Sequence, residues 1–206
     1  GKRFSFKFIS NFFSLAISTV ITLIVPRVLG PILYGNFMFL NDHFNKIIGF
    51  FGFGAPMGFF TKISKRRGEI KLLRFYILFL FLIFILSSFT LFAVYFFNFY
   101  EKLYVNIAYE FVLLSYIYSF LLFLIGIFRQ INDAYSFTVI SEKFFLYHRI
   151  LSLLIILSLF YFDLLNLLFY FIHLIFVSSL LLVIWFIFLN KKNIKPFAKK
   201  YIIDWV

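Results

Sequence analysis

The side chains able to do chemistry are few and clustered. Asp42 and Lys46 stand four apart in an otherwise apolar stretch, a spacing that puts both on one face of a helix within reach of each other. Asn45 and Gly49 extend that face. An ionisable group near the centre of a bilayer costs about 2.5–3.5 kcal/mol on insertion scales, so it faces a bundle interior or a watery cavity. Two readings fit Asp42 and Lys46: a neutralising pair kept for packing, or the wall of a hydrated cavity. Asn41 and His43 crowd the same turns and favour the cavity. Upstream, Asn11, Ser14, Ser18 and Thr22 recur at spacings of three, four and four, one polar stripe along a helix. Alone, such a stripe is explained by hydrogen bonds to a neighbouring helix, about 0.6 kcal/mol each. Beside the Asp42 face it implies that the first two helices line one aqueous space. Asp42 is the carboxylate expected well inside a span, and so the candidate for ion coupling.

Signatures of catalysis are missing from the sequence. It contains no P-loop, HExxH or GxSxG motif, and no grouping of ligands with metal spacing. With no cysteine, thiolate chemistry and iron–sulfur clusters are excluded. His43, His148 and His173 are far apart, and His173 reads as a satisfied interior histidine. Gly52 and Gly54 do not make a nucleotide fingerprint, because Met57 stands where its third glycine belongs. The expectation is a non-enzyme that needs no metal or cofactor.

The elements that hold these residues follow from composition. Hydrophobic residues make up 64% of the 206, charged residues only 14%, and mean hydropathy is +1.02. A soluble chain carries about 45–50% apolar and about 25% charged residues, so neither a soluble domain nor a disordered one fits. Six segments can each cross roughly 30 Å of hydrocarbon, near 8–26, 36–60, 75–97, 107–128, 144–162 and 167–189. The fifth starts late because His148 and Arg149 are expected to snorkel to the surface. The fold class is therefore an all-α polytopic membrane protein with six transmembrane helices over 1–189.

Charge placement tests the count. Lys plus Arg is 20 against 8 for Asp plus Glu, a net charge of +12. With a cytoplasmic N-terminus the inside segments are 1–7, 61–74, 129–149 and 190–206, which hold seventeen of the basic residues. The outside loops hold only Arg27 and Lys102. The positive-inside rule predicts this split for six spans with both ends in the cytoplasm. The excess thus explains itself without nucleic acid, which requires a solvated basic face. The first span is too long, and lacks the cleavage pattern, for a signal peptide. The basic stretch 190–206 restarts in apolar residues at Tyr201, Ile202, Ile203, Trp205 and Val206. It reads as a linker toward a second half, with a short amphipathic tail as the plainer alternative. Gly49, Gly52, Gly54 and Gly58 around Pro56 fit close helix packing or a hinge.

The N-terminal third carries a resemblance. PRVLGPILYGNF at 26–37, FFGFGAPMGFFTKISK at 50–65, and Asn11 with Ser14 resemble the bacterial polysaccharide biosynthesis family of oligosaccharide flippases. That family lies in the multidrug/oligosaccharidyl-lipid/polysaccharide exporter superfamily. Its R-x-L-G-P-x-x-Y-G motif is matched by Arg27, Leu29, Gly30, Pro31, Tyr34 and Gly35. Its glycine-containing end of helix two is matched by Gly52 and Gly54 ahead of the basic run from Lys62. After residue 75 the likeness is one of hydropathy. The resemblance implies two pseudo-symmetric lobes, of which 1–189 would be the N-terminal one. It implies transfer of undecaprenyl-pyrophosphate-linked oligosaccharide to the outer leaflet of the cytoplasmic membrane, as in O-antigen synthesis, by lobes that rock about a central cavity. The implied partners are the lipid-linked glycan, membrane lipids and other proteins of polysaccharide assembly. Asn11, Ser14, Ser18, Asp42, Asn45 and Lys46 are the candidates for contacting pyrophosphate and sugars.

Three rivals share the composition. A multidrug or lipid II exporter has the same architecture with another cargo, and the motif favours the polysaccharide branch over it. A glycan polymerase or acyltransferase needs a larger outside loop than 98–106. A six-helix scaffold would tolerate loss of Lys46.

Overall fold

The computed structural model describes residues 2–65, 70–97 and 99–191, with side chains of 2–4, 55 and 70–74 left out. Every regular element among them is a helix: α1 (Lys2–Gly52), α2 (Ala55–Lys65), α3 (Ile70–Phe96), α4 (Tyr100–Leu103), α5 (Tyr109–Ala134), α6 (Thr138–Tyr161) and α7 (Leu167–Lys191). Hydrocarbon offers the backbone no hydrogen bonds, so each crossing must satisfy its own N–H and C=O groups, as a helix does. Five of these helices are long and apolar enough to cross a membrane. The chain is a multi-pass membrane protein.

Six crossings come from five helices because α1 is two spans in one. Its 51 residues would extend about 75 Å if straight, more than twice the hydrocarbon thickness. Gly30 breaks it, with φ 77° and ψ 168°, a backbone region open essentially to glycine alone. Pro31 follows and has no N–H to continue the helical ladder. The first arm, 2–29, starts with Lys7 at Asp133 near the end of α5. It finishes with Val25 and Leu29 in a cluster with Leu165 and Phe171, at the opposite end of the bundle. The second arm, 31–52, returns. Phe37 meets Phe171, Asn41 meets Ser119, and the chain continues through α2, whose Phe59 stacks on Tyr76 at the start of α3.

The second span differs from the expected 36–60 in being interrupted. Phe53 and Gly54 both take positive φ, 44° and 68°, which ends α1 before Pro56 opens α2 in its first turn. The α5–α6 connection differs more. In place of a loop over 129–149 there is a turn at 135–137, closed by Phe137 N–H donating to the Asn132 carbonyl at 2.7 Å and Ser136 N–H to the Asp133 carbonyl at 3.0 Å. This 6→1 and 5→2 pairing caps the orphan carbonyls of α5, with Ser136 at φ 68° in the place glycine usually takes. α5 therefore reaches Ala134 and α6 begins at Thr138, which brings Arg129, Glu142, His148 and Arg149 into helices. The expected linker lies outside the described residues from 192 onward, as do Arg66 and Arg67.

Packing is carried by α5, which touches both arms of α1, α2, α6 and α7. One apolar cluster joins the second arm, α2 and α3 to α5, around Phe44, Ile48, Ile63 and Ile83. A second gathers the first arm with α6 and α7 around Val25, Ile156 and Phe171, and a third closes around fully buried Trp185.

Candidate functional site

Two polar regions emerge, one inside the bundle and one on its face. The inner one centres on Glu142, the only carboxylate side chain among the described residues with no exposure at all. Its Oε1 accepts from Arg129 Nε at 2.8 Å and its Oε2 from Arg129 at 2.9 Å, a two-pronged pair between α5 and α6. Ser10 Oγ donates to Oε2 at 3.1 Å from the first arm, and Arg129 also donates to Asn11 Oδ1 at 2.9 Å. Lys7 and Asp133 pair nearby at 2.6 Å. Three helices are thus tied by one ionic network whose charges cancel.

Arg149 sits seven residues along α6 from Glu142, with Phe145 between them on the same face. The guanidinium of Arg129 lies 4.6 Å from the Phe145 ring centre and that of Arg149 lies 5.1 Å from it. Arg149 has no carboxylate within salt-bridge distance among the described residues, and its Nε is buried without a hydrogen bond. It lines a small cavity between α5, α6 and α7 together with His148, Tyr118, Ser152 and Ser178. Neither His148 nor Arg149 snorkels to a surface, since both stand near the middle of α6. His173 is buried as expected but only half satisfied: Nε2 lies 3.0 Å from Ser152 Oγ, whereas Nδ1 is buried without a hydrogen-bond partner among the described residues.

The outer region is the Asp42 face. Lys46 Nζ lies 2.6 Å from Asp42 Oδ2, as the spacing of four requires, and the two side chains are 76% and 64% exposed. Asn45 is exposed and donates to Asn41 Oδ1 at 3.3 Å, and Asn41 in turn accepts from Ser119 of α5. His43, one residue round the helix, is turned inward to Tyr104 at 3.1 Å. Of the first-arm stripe, Asn11 is spent on Arg129, Ser14 is buried with its hydroxyl unpartnered, and the half-buried Ser18 accepts from the exposed Thr22 through its carbonyl. Among the described residues no hydrogen bond or ion pair joins this stripe to the Asp42 group.

The motif residues sit at the break. Gly30 supplies the positive φ, Leu29 is buried in the cluster below it, and Pro31 opens the second arm. Tyr34 packs at 6.1 Å from the Phe37 ring, whereas Arg27 and Gly35 are exposed. The motif thus holds the reversal between the first two spans. Comparison with family models, curated proteins and solved structures finds no match for the chain.

Glu142 was not singled out by the charge pattern, which places it in a loop, and Arg149 was read as snorkelling from the start of the fifth span. One signal was available: Glu142, Phe145 and Arg149 at spacings of three and four form one helix face. It becomes visible only when α6 is allowed to start six residues before its long apolar run.

Proposed function

We propose that the chain forms one lobe of a two-lobed flippase that carries undecaprenyl-pyrophosphate-linked oligosaccharide across the cytoplasmic membrane. The observation that carries this reading is the outward Asp42–Lys46 pair. Asp42 lies eleven residues beyond Pro31, about 17 Å along the second arm and so near mid-bilayer. Two ionised groups there cannot face lipid cheaply, and nothing among the described residues covers them. A water-filled cleft closed by a second lobe relieves the cost. Such a cleft would offer Lys46 to a pyrophosphate, and Asn45 and Asp42 to sugar hydroxyls. The resemblance at 26–37 supports the same architecture, with Gly30 as the fixed corner of the lobe.

In this reading the Lys7 end of the bundle is cytoplasmic, in keeping with Lys7, Lys62, Lys65, Lys143 and Lys191 on that side. The lobe does no covalent chemistry. It lowers the barrier for a polar head group by providing a hydrated path while the lipid tail stays in hydrocarbon. The test is the leaflet distribution of the lipid-linked glycan, probed with a membrane-impermeant reagent in cells carrying Lys46→Ala in the full-length protein. Build-up on the cytoplasmic leaflet, with an unchanged unfolding midpoint, is expected. Normal outward movement, in that variant and in cells depleted of the protein, would overturn the proposal.

A further inference from the structure

We infer that the cavity between α5, α6 and α7 is a binding site for one small inorganic anion of halide size, held by Arg149. The charges of this region do not balance without it. Lys7 is matched by Asp133 and Arg129 by Glu142, which leaves the Arg149 guanidinium as a surplus cation in the middle of a transmembrane helix. Its charged or titratable neighbours among the described residues are His148, Tyr118, Tyr170 and Arg129, and none of them is a carboxylate. The Phe145 ring meets it at 5.1 Å but is shared with Arg129, whose guanidinium lies 4.6 Å from the same ring centre. A ring quadrupole softens the cost of a buried cation without cancelling its charge.

The space beside Arg149 is sized for a specific class of ligand. The cavity is about 50 Å³, whereas a single water needs roughly 10–15 Å³ by the same measure. It admits a halide or a few waters and is too small for a pyrophosphate bearing sugars. Its other polar contributors are His148 and the hydroxyls of Tyr118, Ser152 and Ser178, of which Ser152 also meets His173 Nε2 at 3.0 Å, with Ile125 and Val177 among the apolar residues that close it. Ser178 is buried at the cavity wall, and the Arg149 Nε beside it is buried without a hydrogen bond. Water would solvate the guanidinium but leave the net charge in place, so an anion is the occupant that satisfies both. This inference is independent of the transport reading, because it concerns the interior of the lobe rather than the Asp42 face.

The experiment uses the full chain in detergent at constant ionic strength, with sodium gluconate exchanged for sodium chloride or bromide. Thermal unfolding is followed by protein fluorescence. A saturable rise of the midpoint with chloride and bromide is expected, with gluconate, too large for the cavity, giving none. Arg149→Gln should abolish the response. Ser178→Leu, which fills the space and keeps the cation, should abolish it too, and this variant decides the matter if Arg149→Gln fails to fold. Trp185 supplies a second readout. It is fully buried and shares a cluster with Phe145 and Ile125 at the cavity wall, so iodide in the site should quench it saturably in a Trp205→Phe background. Equal midpoints in chloride and gluconate, or a response retained in Ser178→Leu, would overturn the assignment and leave water as the occupant.

Discussion

Removing the Glu142 carboxylate should cost this helix bundle more than any other single polar change. Glu142→Ala deletes the acceptor of two Arg129 bonds and one Ser10 bond and strands a guanidinium 4.6 Å from Phe145, with Arg149 also 5.1 Å from the same ring. Breaking a buried pair by deleting one partner costs about 3–5 kcal/mol, chiefly because the remaining charge is uncompensated. Interhelical hydrogen bonds in membranes are worth about 0.6 kcal/mol on average, which sets the smaller loss expected for Ser10→Ala. The stranded charge therefore outweighs the lost hydrogen bonds, and the physics makes a sharper forecast than a simple loss. Arg129→Met combined with Glu142→Leu removes both charges and should come within about 1 kcal/mol of the native chain. The assay is reversible unfolding in mixed micelles by denaturing detergent, run as a double-mutant cycle. If Glu142→Ala costs under 1 kcal/mol, or if the double variant is as unstable as the sum of the singles, the network is not what ties α1, α5 and α6 together.

Three further outcomes follow from local geometry. Gly30→Ala should destabilise by about 1–3 kcal/mol, although its Cβ would meet nothing within 4 Å, because the cost is purely the positive φ; Gly35→Ala, with equal space and helical φ, should be neutral or slightly stabilising in the same unfolding assay. Tyr116→Phe should loosen α3 from α5, since its hydroxyl meets Ser87 at 3.0 Å and Ser88 at 2.7 Å and also bonds the Phe84 carbonyl; faster amide exchange in α3, with α6 unaffected, is the expected readout. Outside the spans, burial, aided by neighbouring Tyr100, pushes the Tyr104 hydroxyl up to about 12. The folded state therefore holds that proton more tightly than the unfolded one, and stability should fall between pH 10 and 12, with a shallower fall in Tyr104→Phe.

What the sequence revealed and what it hid divide along one physical line. Hydropathy is a property of consecutive residues, so spans three and six could be placed to within a turn or so from Phe75 to Phe97 and 167–189. The Asp42–Lys46 pair is local to one helix, and a spacing of four was enough to set it. The Glu142 network draws Ser10, Asn11, Arg129 and Glu142 from three helices, and no linear count pairs residues 132 positions apart. A charge tally also treats every cation as solvated. It therefore assigned Arg129 and Arg149 to a cytoplasmic loop, when the first is neutralised inside the bundle and the second packs on Phe145 beside a cavity. The reversal at Gly30 was marked by glycine and proline side by side, but its positive φ is a backbone fact with no signature beyond that dipeptide.

The Asp42 face offers the most direct discrimination between a cleft and a lipid contact. Asp42, Asn45, Lys46 and Gly49 are all exposed along one side of the second arm, and nothing among the described residues covers them. Leu82 and Phe89 of α3 are also exposed, at 51% and 65%, yet they are apolar and suit lipid. Exposure alone therefore does not distinguish the two surfaces, but the solvent that touches each does. The chain contains no cysteine, so single thiols can be introduced without background. A hydrophilic maleimide reacts with the thiolate, which forms in water and not in hydrocarbon. Asn45→Cys and Gly49→Cys in intact membranes should label at rates comparable to Val105→Cys in the α4–α5 connection. Leu82→Cys and Phe89→Cys should stay unlabelled until detergent is added. Should Asn45→Cys behave like Leu82→Cys, the face is sealed in lipid or protein, Asp42 and Lys46 are a neutralising pair held for packing, and the observation on which the flippase reading rests is gone.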